Sequence, residues 1–191
     1  MIDGDQLGGR LLSPTEAERL DAHGHTEAAV LVALYGEIDN PTVIYTERRH
    51  DLNRHAGEIS FPGGRRDPGE DLLETALREA EEEIDLRRHN LSVVGALPPI
   101  ATFVTNYKVH PYVAIVTEPT PPLTASPSEV ERILRFSTAE LRTARGVKRL
   151  VRRGIPFKTD VFELDGALIW GATARITVEL LDRLARTGVA D

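Results

Sequence analysis

Three carboxylates, Glu79, Glu82 and Glu83, stand at i, i+3 and i+4 in a segment with helical periodicity. At about 100° per residue, Leu73, Ala76, Leu77, Ala80 and Ile84 share one apolar stripe and the glutamates take another face. Like charges at this spacing repel by roughly a few tenths of a kcal/mol per pair. A hard divalent cation such as Mg²⁺ reverses that sign, because it takes carboxylate oxygens as ligands. The competing reading is a solvated charged face, which most acidic runs are, and the glutamates alone favour it. Upstream, Gly63-Gly64 lets backbone approach a metal or a phosphate closely, since neither residue carries a Cβ. Arg78 is four residues from both Glu74 and Glu82, and Glu70 can reach back to it across the loop. Arg78 and Glu70 therefore read as orienters and not as reacting groups. A cation on the three glutamates would neutralise developing negative charge and acidify a bound water, so water is the implied nucleophile.

The spacing around the glutamates changes the odds. Gly64, five residues, Glu70, seven residues, then Arg78-Glu79-Ala80-Glu81-Glu82-Glu83-Ile84-Asp85-Leu86 resembles the signature box of the Nudix family of diphosphate hydrolases. Every charged position of that pattern matches. The departure is Asp85, where the family has Gly to end the helix at positive φ, a conformation that Asp tolerates moderately well. The resemblance implies a Nudix α/β/α sandwich and a Mg²⁺ or Mn²⁺ ion held by Glu79, Glu82 and Glu83. It also implies a structural Glu70–Arg78 pair. Nudix enzymes often draw a further metal ligand or general base from a later loop. Glu129, after a Pro-rich segment, has a similar placement; Glu131 and Glu118 compete with it, and a plain surface role stays open.

A second resemblance lies just upstream. Residues 46–64 are similar to the additional signature of coenzyme A diphosphatases, roughly Leu-Leu-Thr-x-Arg-Ser/Ala-x3-Arg-x3-Gly-x3-Phe-Pro-Gly-Gly. Arg48, Gly57, Phe61, Pro62, Gly63 and Gly64 match in register. Arg49 stands where Ser or Ala is usual, and Asn53 where Arg is usual, with Arg54 one residue later. Ile169-Trp170-Gly171-Ala172-Thr173-Ala174 also resembles the opening of the last helix in that subfamily. Coenzyme A carries a diphosphate and a 3′-phosphate, so its binder should offer cations beyond the metal. Arg48, Arg49, Arg54, Arg65 and Arg66 cluster near the box. Arg48 and Arg54, with Gly63 and Gly64, are the candidate substrate contacts; Arg49 and Arg66 read individually as surface arginines.

These residues need a scaffold to hold them. Ser13-Pro14-Thr15-Glu16 is a capping box that opens a short helix to about His23. Residues 28–35 and 42–46 read as strands separated by Asp39-Asn40-Pro41. Residues 57–61 form a short extended segment into a Pro62-Gly63-Gly64 turn. After the acidic helix, 92–97 and 109–117 are strands, and 118–128, with Pro119, Pro121, Pro122 and Pro127, is a loop long enough to act as a flap. Residues 129–137 are ambiguous between strand and helix, and 138–143 form a helical turn. Segments 157–164 and 167–170 flank the hairpin turn Asp165-Gly166, and an apolar stripe of Ile176, Leu180, Leu181 and Leu184 makes a last helix over 173–186. The mixed order predicts an α+β fold, a sheet covered by helices. One domain spans 1–191, with 1–26 as a helical N-terminal extension.

Composition is consistent with this picture. At 191 residues, 41% hydrophobic and 28% charged, the chain is an ordinary globular one with a sizeable core. It has no cysteine, which excludes disulfides, thiolate metal sites and thiol nucleophiles. The six histidines sit in unrelated contexts and are expected at the surface, and no Ser-His-Asp arrangement can be argued. The formal net charge of −7 argues against general nucleic-acid binding. The N-terminus lacks a basic start and apolar run, and residues 28–35 are too short an apolar stretch to span a bilayer, so a cytoplasmic location with no membrane partner is expected. A homodimer stays open. The reading is metal-dependent hydrolysis of coenzyme A or acyl-coenzyme A to 3′,5′-ADP and 4′-phosphopantetheine. Its rivals are a Nudix enzyme for ADP-ribose or dinucleotides, and a Nudix-fold sensor that binds without turnover.

Overall fold

A computed structural model describes residues 2–51, 56–102, 106–118, 121–152 and 154–185. The chain begins with two short helices, α1 (Gly4–Gly8) and α2 (Pro14–Arg19). Both halves of the expected capping box on α2 are present, with Ser13 Oγ accepting from the Glu16 amide and Glu16 Oε2 accepting from the Ser13 amide. Strands β1 (Thr26–Glu37), β2 (Asn40–Arg48), β3 (Ile59–Ser60) and β4 (Gly63–Arg65) lead into α3 (Leu72–Ile84), the acidic helix. Then come β5 (Leu91–Ala96), β6 (Ile100–Ala101), β7 (Tyr107–Val116) and β8 (Val130–Ser137). The chain continues through α4 (Thr138–Ala144), β9 (Arg145–Arg152), β10 (Ile155–Leu164), β11 (Ala167–Trp170) and α5 (Gly171–Ala185).

The main sheet runs β3-β2-β1-β7-β5, with β8 on the other edge of β2. It is mixed because β1 and β7 are parallel, Thr26 opposite Tyr107 through Leu34 opposite Ile115, while the remaining pairs are antiparallel. β1 and β2 bond only near their connecting turn, Leu34–Glu37 against Asn40–Val43, and then part. The short segment β3–β4 fills the fork: Ile59 and Ser60 bond to β2, Gly63 to Arg65 bond to β1, and the Leu31 amide donates to the Pro62 carbonyl at 2.8 Å. Gly63 and Gly64 are therefore sheet and not part of a free turn, with Pro62 in the bend before them.

Each face of this sheet is covered by one long helix. On one side Ala29, Leu31, Ala33, Ile44, Tyr112 and Ala114 meet the α3 stripe of Leu72, Ala76, Leu77, Ala80 and Ile84. On the other, Val32, Leu34, Tyr45, Phe61 and Val113 meet Ile176, Leu180 and Leu181 of α5. Fully burying such side chains contributes about 1.5–3 kcal/mol each, which is what fixes α3 against the sheet. The α/β/α sandwich expected from the sequence is the observed architecture. A smaller antiparallel sheet, β11-β10-β9, carries the predicted hairpin, with Asp165 and Gly166 at φ 47° and 73°. Both central residues at positive φ are what the right-handed strand twist favours.

Two segments left open by the sequence are strands, and one expectation needs correction. The ambiguous 129–137 segment is a strand paired with β2 along its length. The basic stretch Arg145–Arg152 is also a strand, paired throughout with β10. His110 is not at the surface: it lies in β7 at 3% exposure, and neither ring nitrogen has a hydrogen-bond partner. β7 is buried on both faces, so its sequence shows no alternation that would flag a polar side chain as inward. Among the described residues no helix is long and apolar enough to cross a membrane.

Candidate active site

Helix α3 starts at Asp71, whose carboxylate accepts from the Glu74 amide at 2.8 Å. It ends at Asp85, which takes φ 56° and ψ 30°, the left-handed conformation that the unusual residue at this position was expected to need. Both ends being fixed, the register of the glutamates on the helix is fixed too. Their surroundings differ. Glu83 is almost wholly enclosed, its side chain 5% exposed, while Glu82 is 60% exposed. Glu79 is held in the fork: a Cβ on Gly64 would lie 2.2 Å from Glu79 Oε1. Gly63 is dictated by the sheet, since a Cβ there would lie 2.3 Å from the Ala29 carbonyl oxygen.

Arg78 organises the helix face as the spacing suggested, with one change of partner. Its Nε and Nη2 donate to the two oxygens of Glu70 at 2.9 and 3.2 Å, and Nη1 donates to Glu79 and Glu82, each at 3.0 Å. Glu74 pairs instead with Arg88. Glu70 also accepts from Thr75 Oγ1 at 2.7 Å, a contact sequence reasoning missed although a hydroxyl one turn into the helix was there to be read. These donors, Arg78 first, hold the Glu70 carboxyl down to about 2, so it stays ionised.

The electrostatics of Glu79 and Glu83 run the other way. Burial pushes the Glu79 carboxyl up, against the pull of Arg78. Burial, then the charge of Glu79, pushes Glu83 up to about 8, with Arg48 opposing. Glu83 Oε2 is buried with no hydrogen-bond partner. A buried carboxylate oxygen lacking a donor, next to a second like charge, is a site that a cation would satisfy. The donor set therefore fits a hard divalent ion. As the side chains stand, no three carboxylate or imidazole groups among the described residues converge to hold one, and Arg78 engages both Glu79 and Glu82.

Two more candidates join the cluster from other elements. Arg48, at the end of β2, brings Nη1 to 3.9 Å from Glu83 Oε1 and 3.7 Å from Glu129 Oε2. A β-bulge between Glu47 and Arg48 shifts the register against β8 at this point, and bulges commonly re-aim a side chain beside a site. Glu129 begins where the Pro-rich loop meets β8, and that loop is tied to the end of α3. The Ser126 amide donates to the Glu83 carbonyl at 2.8 Å and the Thr124 amide to the Ile84 carbonyl at 3.1 Å. Glu70, Arg78, Glu79, Glu82, Glu83, Glu129, Arg48, Gly63 and Gly64 are thus gathered around one helix and one fork. Arg54 lies outside the described residues. Arg66 is paired with Glu27 at 2.8 Å, the surface role expected of it, while Arg49 makes contacts that expectation did not foresee.

Residues 25–154 match the family description of the NUDIX domain. An Escherichia coli protein (strain SMS-3-5 / SECEC) described as an uncharacterized Nudix hydrolase, NudL, is 35% identical over 159 residues, covering 82% of this chain and 81% of its own. Among solved structures, a MutT protein from Methanosarcina mazei Go1 aligns with a TM-score of 0.55 at 17% identity, covering 88% of this chain and all of its own. A MutT/nudix family protein from Enterococcus faecalis also aligns at 0.55, with 14% identity and coverage of 89% and 66%.

Proposed function

Because the chain belongs to the Nudix hydrolase family, we propose that it hydrolyses the diphosphate of coenzyme A or its acyl derivatives, using Mg²⁺ or Mn²⁺. The observation that carries this reading is Arg48. It is the arginine of the coenzyme A-type signature, and it lies within 4 Å of both Glu83 and Glu129. A cation there, next to a carboxylate cluster, suits a diphosphate that must be held against those acids.

Glu79, Glu82 and Glu83, with Glu129 beside them, are the residues that would hold the ion. When bound, it supplies charge neutralisation for the diphosphate and acidifies a water. The chain's own residues supply the rest. Arg78 keeps Glu79 and Glu82 in place from one side, and Glu70 keeps Arg78 in place from the other. Glu83, pushed up to about 8, holds a proton at neutral pH until a cation replaces it. Glu129, half-exposed at the end of a loop, has room to accept a proton from the attacking water. Arg48 orients the phosphoryl oxygens by charge-assisted hydrogen bonds. Water adds across one P–O bond of the bridge, leaving 3′,5′-ADP and 4′-phosphopantetheine, each with one new terminal phosphate.

A substrate panel tests this: coenzyme A, acetyl-coenzyme A, dephospho-coenzyme A, ADP-ribose and a diadenosine polyphosphate, each with Mg²⁺ and with Mn²⁺. Coenzyme A or its acyl form should have the highest kcat/KM. A higher value for ADP-ribose or the dinucleotide replaces the coenzyme A reading with that rival. Tight binding with no hydrolysis of any of them leaves the sensor.

A further inference from the structure

Arg49 departs from the signature that surrounds it, and its contacts are specific. Its Nε and Nη2 donate to the two oxygens of Asp51 at 2.8 and 2.6 Å, a planar fork on a carboxylate. Its remaining terminal nitrogen, Nη1, donates to the Pro127 carbonyl at 2.8 Å. Its backbone amide donates to the Glu129 carbonyl at 3.0 Å, one step beyond the bulge in the β2–β8 ladder. The Glu129 and Val130 amides in turn donate to the Ser126 carbonyl. One arginine thus grips, from a single position, the loop residue two before Glu129 and the backbone of Glu129 itself.

We infer that Arg49, set by Asp51, is a positioning residue that braces the Pro127–Glu129 segment, so that the Glu129 carboxylate stays beside Glu83 and Arg48. The inference rests on the hydrolytic reading of Glu129 given above. Its physical basis is that Glu129 sits on a loop with a half-exposed side chain, and a catalytic carboxylate is effective only when held in place. The stretch just before it is already tied to α3 through the Thr124 and Ser126 amides. Arg49 holds the next stretch, from Pro127 to Glu129. Neighbouring Arg48 faces the acids, and Arg49 faces the loop that presents one of them.

The test uses Arg49→Ala, Arg49→Lys, Asp51→Asn, Glu129→Gln and the double variant Arg49→Ala/Glu129→Gln. It reads steady-state kinetics, thermal melting, and amide hydrogen exchange over residues 124–130. In Arg49→Ala the amides of Glu129 and Val130 should exchange about tenfold faster while the melting temperature holds, because the contact is local and exposed. In the same variant kcat should fall about tenfold with KM within about twofold, and the double variant should be no worse than Glu129→Gln alone. Lys, offering a point charge in place of a fork, should restore part of the protection, and Asp51→Asn should loosen it less than Arg49→Ala does. Unchanged exchange in Arg49→Ala overturns the brace, whatever the kinetics show. So does a rise in KM with kcat kept, which would make Arg49 a substrate contact, and so do fully additive losses in the double variant. If the parent hydrolyses nothing in the panel, the hydrolytic reading fails, and the exchange data still decide whether Arg49 holds this loop.

Discussion

Gly64 and Glu79 compete for one volume: a Cβ on the glycine would lie 2.2 Å from the Oε1 of the glutamate and 2.4 Å from its carboxyl carbon. The atom that must give way is the tip of a flexible side chain and not backbone. Gly64→Ala should therefore keep the fold, with melting within about 2 °C of the parent, and displace the carboxylate. We expect activity to fall at least about a hundredfold, as for a misplacement of 1 Å at a reacting centre. Near-parental turnover by Gly64→Ala would show that Glu79 need not occupy this space.

Glu83 makes the metal-free protein sensitive to alkali. Its folded-state value of about 8 lies above the ordinary carboxylate value of 4.5, so its stabilising contribution is complete below 4.5 and is lost as pH rises through 8. Melting in EDTA should fall between pH 4.5 and pH 8 and level off above that, and Glu83→Gln should flatten that fall and melt on the order of 5 °C higher at pH 8.5. Mg²⁺ or Mn²⁺ should restore the parent at pH 8.5 and leave the variant unchanged. The same slope in both proteins would assign the alkaline loss to another group.

His110 acts at the opposite end of the scale. Burial, then Lys108, depress its pKa below the ordinary 6.5; Arg66 adds to this, while Glu27 and Glu18 oppose it. A depressed histidine leaves stability intact above 6.5 and withdraws it as pH falls toward the folded value. His110→Gln, neutral at every pH, should remove part of the loss of melting temperature between pH 6.5 and pH 5. An identical acid limb in the variant would exclude the imidazole as its source.

Arg48 separates two ways of using a cation. Were it to hold only a phosphate remote from the bond being broken, Arg48→Ala would raise KM and spare kcat. It lies within 4 Å of Glu83 and Glu129, so on the proposed reading it would act at the reacting end. We therefore expect Arg48→Ala to lower kcat as well as raise KM, with kcat/KM down roughly a hundredfold and coenzyme A and dephospho-coenzyme A affected alike. A loss confined to KM, and to substrates bearing the 3′-phosphate, would return Arg48 to the remote role.

Asp85 holds the left-handed cap at φ 56°, and its carboxylate meets Arg87 Nη2 at 2.7 Å on the surface. An exposed pair of this kind contributes little, whereas relief of the left-handed backbone, about 1–2 kcal/mol, exceeds glycine's entropic cost of about 0.5–1 kcal/mol. Asp85→Gly should raise the melting temperature by about 1–3 °C with activity unchanged. A lower melting temperature would mean that the ion pair outweighs the strain.

The site was legible where chemistry imposes spacing. Glu70, Arg78, Glu79, Glu82 and Glu83 have to recur at set intervals because one arginine must reach carboxylates a helical turn apart. What spacing could not show was that burial sorts the three glutamates, enclosing Glu83 and exposing Glu82. That depends on the fork and on the Pro-rich loop, whose amides reach the helix end from forty residues away in sequence. The strand Arg145–Arg152 was missed for a related reason. Its cations lie on an edge, with Val147 and Val151 exposed, so no buried face imposed an alternation. β8 was ambiguous because Glu131, Arg132 and Arg135 dilute its apolar positions. Arg49 read as one surface arginine among several, since nothing in the local sequence announces a carbonyl 78 residues further on.

The parallel pairing of β1 with β7 also bears on how the protein comes to exist. Hairpin neighbours such as β1 and β2 can meet as soon as they are made, but Thr26 waits for Tyr107 and Leu34 for Ile115. The middle of the sheet therefore stays open-edged on the ribosome until about residue 116 has emerged, and loops of some eighty residues must close before it forms. Helix α3, whose apolar stripe rests on β1 and β7 together, is synthesised well before the second of those strands. During that interval its apolar stripe has no complete partner face, and the glutamates are the groups on the helix that favour water. The charges proposed above to hold a metal in the finished protein would, earlier in its life, oppose association of the unfinished chain with its neighbours.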